Sequence, residues 1–256
     1  MRILLCDHTA VPTRLRDILT SGSRLRYAAW RLAKGTSPLA VTLQSGPQLM
    51  LRPPPARDLT TAHDIFVSGI YDAAAASSGD LIVDVGGNVG FSSVYFAARF
   101  PDSRILAFEP HPLFADLFEH HMAINGFAPR VTLVRAAAHT AAGHARLTDA
   151  EDSSALADRG TLPIETADLF AALGTTPVAV LKMDIEGGEM PLLADSRFDA
   201  LQLRMLLLEW HDPSESGRAK AWCTERLEAL GYDVQPGRQD GPVTGLITAT
   251  RPFRSG

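Results

Sequence analysis

Cysteine is nearly absent from this chain. Its 256 residues contain only Cys6 and Cys223, too few and too far apart for a disulfide framework or a metal-ligand spacing. A reducing, cytoplasmic compartment is therefore expected. Long apolar runs are missing as well. The run from Ile3 to Cys6 is too short for a signal-peptide core. No stretch approaches the roughly 20 apolar residues that cross a bilayer, so no membrane span is expected. A strong excess of one charge is also lacking: 24 basic residues face 29 acidic ones, a net charge of −5. A general nucleic-acid binder needs a basic surface to displace counterions, which excludes nucleic acid as the expected partner. There is no internal repeat and no low-complexity tract.

Apolar residues, by contrast, make up 46% of the chain, ample for a buried core. The charge is uneven. Residues 1–35 hold Arg2, Arg14, Arg16, Arg24, Arg26, Arg31 and Lys34 against Asp7 and Asp17, which is +5 and leaves −10 for the rest. Leu15, Ile18, Leu19, Leu25, Ala28, Ala29 and Leu32 recur at roughly helical spacing, interrupted by Gly22. Residues 1–40 are read as a helical extension, one broken helix or two short ones, and residues 41–256 as the main domain. A helix packed on the domain with arginines outward is the plain reading. A lid, or the contact of a homo-oligomer, is the alternative.

Val41–Leu43 and Leu49–Leu51 flank a Ser45-Gly46-Pro47 turn and predict a hairpin. A helix is expected over Ala62–Tyr71. From residue 81 the pattern becomes regular. Short apolar runs at Leu81–Val85, Arg104–Phe108, Val131–Val134, Val178–Met183 and Arg204–Trp210 alternate with helical segments at Gly90–Phe100, Pro112–Ile124, Thr166–Leu173, Glu189–Ala194 and Glu215–Leu230. Tyr232–Gln235 and Leu246–Thr250 close the set. Residues 139–163 are polar and irregular, with a hairpin tip expected at Asp149–Ser154. The alternation implies an α/β fold: a Rossmann-like, seven-stranded, mostly parallel sheet with helices on both faces.

Two segments carry chemistry. The first is Asp84-Val85-Gly86-Gly87-Asn88-Val89-Gly90, between a strand and a helix. Glycine there permits a tight turn and close approach of a ligand to the backbone. The spacing is not the dinucleotide Gly-x-Gly-x-x-Gly, which counts against a nicotinamide oxidoreductase. Asp84 stands at the strand's carboxyl end, where an amine-bearing or cationic ligand fits. The next strand ends in Phe108-Glu109-Pro110, and a carboxylate there can accept hydrogen bonds from both ribose hydroxyls. An acid two places before the glycines, with a second acid ending the next strand, resembles the class I S-adenosylmethionine-dependent methyltransferases.

The second segment is Lys182-Met183-Asp184-Ile185-Glu186-Gly187-Gly188-Glu189, followed later by Glu209-Trp210-His211. Alternation places Lys182, Asp184 and, if extension persists, Glu186 on one face, with Glu209 and His211 beside them. Burying such charges is costly unless they are paired or used. Together with Asn125 and the first segment, these motifs resemble the FkbM-type methyltransferase family over roughly residues 45–235. Gly87 departs from the small residue, usually alanine, expected there. The resemblance implies O-methylation of a small-molecule acceptor such as a sugar, polyketide or other secondary metabolite. It implies S-adenosylmethionine held by Asp84, Gly86, Gly87, Asn88, Gly90, Glu109, Pro110 and Ala137. A non-catalytic binding domain on the same fold is the rival reading. By intrinsic pKa, His211 is the expected proton acceptor, with Lys182, Asp184, Glu186 and Glu209 completing the catalytic set. Asp184, Glu186, Glu209 and His211 are also Mg²⁺-type ligands, so a metal-assisted route stands as an alternative. His120 and His121, on a helix, are read as surface residues.

Overall fold

Apolar runs of four to seven residues, too short for helices and rich in Val, Ile and Leu, form strands buried on both faces. The computed structural model describes residues 14–252 apart from 75, 78, 149–159, 213–216 and 240–242. The chain begins with helices α1 (Leu15–Ile18) and α2 (Ser21–Leu32), strands β1 (Leu39–Thr42) and β2 (Gln48–Leu51), and helix α3 (Asp58–Phe66). It continues through β3 (Leu81–Val85), α4 (Phe91–Arg99), β4 (Arg104–Phe108), α5 (Pro112–Ile124), β5 (Val131–Val134), β6 (Ala137–His139), β7 (Gly143–Leu147) and β8 (Leu162–Asp168). Then come α6 (Leu169–Leu173), β9 (Val178–Met183), α7 (Glu189–Ala194), α8 (Ser196–Asp199), β10 (Leu203–His211), α9 (Ala219–Ala229), β11 (Asp233–Gln239) and β12 (Thr244–Thr250).

Seven strands make the main sheet in the order β11-β12-β10-β9-β3-β4-β5. β12 runs antiparallel to both of its neighbours, and the pairs from β10 to β5 are parallel. One apolar core gathers Ile82, Val180 and Leu207 under α4 and α5, and reaches Leu19, Tyr27 and Leu49 of the N-terminal layer. The other gathers Val83, Leu181 and Leu206 with Leu192 of α7 and Leu227 of α9. Chain order reverses between β3 and β9. A crevice at the carboxyl ends of open α/β sheets forms at such a reversal, and the register there sets Asp84 beside Lys182 and Val85 beside Met183.

The N-terminal layer is sewn to the sheet by side chains. Leu19 bridges Leu43, and Ser23 Oγ accepts the Thr42 N–H at 2.8 Å. The Asn125 amide pairs with the Gln48 backbone as a strand would, accepting from its N–H and donating to its carbonyl, both at 2.8 Å. His121 is fully buried, not on the surface as its helical position suggested. Its Nε2 accepts from Met50 N–H at 2.8 Å, so Nδ1 carries the hydrogen and donates to the Val89 carbonyl at 2.6 Å. Burial pushes its pKa down to about 4.

Two helices begin or end elsewhere than the sequence reading placed them. Helix α3 covers Asp58–Phe66, earlier than Ala62–Tyr71, and Gly69, at a φ of +68°, turns the chain within the expected span. Thr166–Asp168 is strand, not helix. The Asp168 carboxylate caps α6 by accepting from Phe170 N–H and Ala171 N–H, so the helix starts one residue later. The polar stretch after His139 supplies β7 and β8, which pair antiparallel as the expected hairpin and belong to a separate three-stranded sheet in the order β6-β8-β7. The expected tip at 149–154 lies outside the described residues, as do 215 and 216, the first two residues of the helix expected over Glu215–Leu230.

Candidate active site

The crevice holds a pocket lined by Gly86, Asn88, Phe108, Glu109, Pro110, Phe114, Ala137, Ala138, Leu147, Asp184, Ile185 and Glu186. The glycine loop closes one side. Gly86 has a φ of +83°, and a Cβ there would sit 1.8 Å from the Asp184 carbonyl oxygen. Only glycine lets the β3 loop lie against the end of β9. At Gly87 a methyl group would meet the Phe118 ring at 3.0 Å, so the departure from alanine matches a ring packed directly under the loop. Gly87 and Gly90 shape the loop from below and do not line the pocket.

Glu109 joins the loop to β4. Its Oε2 accepts from Asn88 N–H and its Oε1 from His111 N–H, each at 2.7 Å. Burial pushes the carboxyl up to about 7, although these two bonds pull the other way. Each oxygen keeps a further lone pair. Pro110, Ala137 and Ala138 form apolar wall beside it.

Asp84 does not face the pocket. It is fully buried and accepts from Ser92 Oγ at 2.6 Å and Ser93 Oγ at 2.7 Å. Lys182 Nζ stands 3.4 Å from its other oxygen. Lys182 is itself 2% exposed and donates to the Gly86 carbonyl at 2.6 Å. It also stands 3.5 Å from Asp184. Burial works against its charge, but Asp84 and Asp184 outweigh it and raise the pKa. Asp84 and Lys182 therefore brace the loop from inside. A lysine kept protonated does not act as a base.

The charged cluster forms by a different route from strand alternation. β9 ends at Met183, and the chain then turns, with Glu186 at a φ of +54°. The buried Glu189 holds that turn, accepting from Ile185 N–H at 3.0 Å and from Gly187 N–H at 3.0 and 3.2 Å. It also meets His211 Nδ1 at 2.9 Å, while His211 Nε2 lies 3.4 Å from Glu186. With a carboxylate on each ring nitrogen, burial is overcome and the His211 pKa rises to about 9. An imidazolium at neutral pH is not a proton acceptor, so the structure counts against His211 as the base.

Tyr71, which the sequence did not single out, closes the cluster. Its hydroxyl lies 3.3 Å from Asp184 Oδ2 and 3.4 Å from Glu209 Oε2. One phenol hydrogen cannot serve two anions, and burial with the Asp184 charge raises the Glu209 pKa. Asp184, Glu186 and His211 bring ligand-type atoms within 4.8 Å of one another, while Glu209 turns to Tyr71. These residues do not fit a divalent cation: Lys182 already pairs with Asp184, and both His211 nitrogens are ion-paired.

A sheet of this order with a carboxylate-lined pocket at its reversal point defines a Rossmann-like methyltransferase. The methyltransferase FkbM domain model matches residues 84–234. Methyltransferase 1 of Beauveria bassiana is 30% identical over 209 residues, covering 69% of this chain and 82% of that protein. The chain belongs to the FkbM methyltransferase family and is an S-adenosylmethionine-dependent enzyme. Methyltransferase sdnD of Sordaria araneosa is 35% identical over 85 residues, and the matched part is 33% of each protein's length. Among solved structures, a candidate rRNA-methylase from Clostridium thermocellum is alike in fold. It has a TM-score of 0.51 at 13% identity, over 75% of this chain and 97% of that one.

Proposed function

We propose that the chain transfers the methyl group of S-adenosylmethionine to a hydroxyl oxygen of a small molecule. The observation behind this reading is one pocket with two kinds of wall. Gly86, Asn88, Glu109, Pro110 and Ala137 line it together with the acidic Asp184 and Glu186. When bound, the cofactor supplies a sulfonium methyl group for in-line displacement. Glu109 takes the ribose hydroxyls on its remaining lone pairs, and the loop from Gly86 to Asn88 takes the methionine portion. Asp84 contributes by anchoring the loop through Ser92, Ser93 and Lys182.

An alcohol must lose a proton as its oxygen gains the methyl group. Asp184 fits this role. Its contacts to Tyr71 and Lys182 both fall on Oδ2, which leaves Oδ1 for the pocket. Glu186, held by His211, supplies a second charge that orients the acceptor. Positioning the two reactants supplies most of the rate.

Binding and transfer test this in sequence. S-adenosylhomocysteine should raise the melting temperature and NAD should not. Radiolabelled methyl from S-adenosylmethionine should then pass to hydroxylated acceptors and not to their deoxy analogues. Stabilisation by NAD alone would overturn the cofactor assignment, and label found only on nitrogen or carbon would overturn O-methylation.

A further inference from the structure

Helix α2 points charge and apolar side chains outward together. Leu25 and Leu32 are 75% and 79% exposed. At roughly 100° per residue, they stand one above the other on the same line of the helix. Arg24 and Arg31 flank that line by about 100–120° on one side, and Arg26 by about 100° on the other. The opposite side is fixed, with Ser23 and Tyr27 buried against the domain. Between residues 18 and 57 the sequence contains no aspartate or glutamate. Among the described residues, Arg24, Arg26, Arg31 and Lys34 form no ion pair.

We infer that this face docks on an anionic lipid bilayer, with Leu25 and Leu32 entering the headgroup layer and the arginines meeting lipid phosphates. Three points favour that occupant. A bilayer receives protruding leucines without a matching pocket, whereas a folded partner must supply one. A second copy presenting the same face would set arginine against arginine. The remainder of the chain carries the acidic excess, so an anionic surface attracts this end and repels the other.

Sedimentation of the full chain with lipid vesicles tests this. Binding to phosphatidylcholine vesicles that contain phosphatidylserine should exceed binding to phosphatidylcholine alone by at least about tenfold, and should fall at high salt. The pairs Leu25→Ser with Leu32→Ser, and Arg24→Glu with Arg31→Glu, should each reduce binding by about tenfold or more with an unchanged circular dichroism spectrum. Equal sedimentation with both vesicle types, or none, overturns the inference whether or not the variants fold. A dimer in sedimentation velocity that the leucine pair abolishes, without vesicle binding, assigns the face to a second copy instead.

Discussion

A carboxylate offers about four lone-pair sites, and two of those on Glu109 are taken by the backbone of Asn88 and His111. Glu109→Ala should weaken S-adenosylhomocysteine binding by roughly 1.5–3 kcal/mol, the range for hydrogen bonds to charged groups. Unchanged affinity by calorimetry in a folded variant would remove Glu109 from the site. Its pKa adds a signature. In the proposed role the ionised form accepts two hydroxyls, and burial lifts the carboxyl to about 7. Affinity should therefore fall as pH drops below about 7, and binding near that pH should release a proton. Tyr71→Phe makes a different prediction. Removing the hydrogen between Asp184 and Glu209 leaves two carboxyls that repel when ionised. The variant should lose more melting temperature at pH 8 than at pH 6, with cofactor affinity retained. Equal losses at both pH values would argue against a shared hydrogen.

The glycine loop is the element most tightly constrained by its neighbours. A methyl group at Gly86 meets a backbone oxygen rather than a movable side chain, and the residue sits at positive φ. The φ alone costs about 1–2 kcal/mol, and the overlap adds to it. Gly86→Ala should lower the melting temperature and abolish S-adenosylhomocysteine binding together. A variant that melts like the parent and still binds would mean the loop can move away from β9.

The loop and the strands were legible in the sequence because their signals are local. Short apolar runs define the buried strands, and Asp84 to Gly90 lies where a strand meets a helix. What was not legible depends on distant partners. Tyr71 meets Asp184 and Glu209 across 113 and 138 residues of chain, and nothing around it marks it. His121 has a helical neighbourhood that reads as surface, because its partners are on β2 and in the glycine loop. Period-two alternation did group Glu209 with His211, but it failed at Glu186, where positive φ ends the extension. Asp84 shows the same limit. Its position at the strand end was clear, yet its direction was set by Ser92, Ser93 and Lys182.

On the scale of the whole molecule, the buried titrating groups pull against one another. Glu109 has a raised pKa, so its contribution weakens as pH climbs from its unfolded value of about 4.5 to about 7. His121 has a lowered pKa, so its contribution weakens as pH drops from 6.5 towards about 4. Between pH 4.5 and 6.5 these two largely cancel. His211 acts above that window. Its pKa is raised from 6.5 to about 9, so its stabilisation is complete below 6.5 and lost as pH rises through 9. The melting temperature of the ligand-free chain should therefore decline across pH 6.5–9. His211→Asn should flatten that decline. A melting temperature that rises across the window would contradict the ion pairs assigned to His211.

The His121 ring touches three parts of the chain at once: its own helix, the Val89 carbonyl in the glycine loop, and the Met50 amide in β2. The glycine loop and the N-terminal hairpin are thus clamped to the same imidazole. Ordering one end should quiet the other. In deuterated water, the Met50 amide hydrogen should exchange more slowly when S-adenosylhomocysteine is bound. In His121→Ala that protection should disappear while the protection of Asn88 remains. The N-terminal layer would then be coupled to the proposed cofactor pocket through a single aromatic ring.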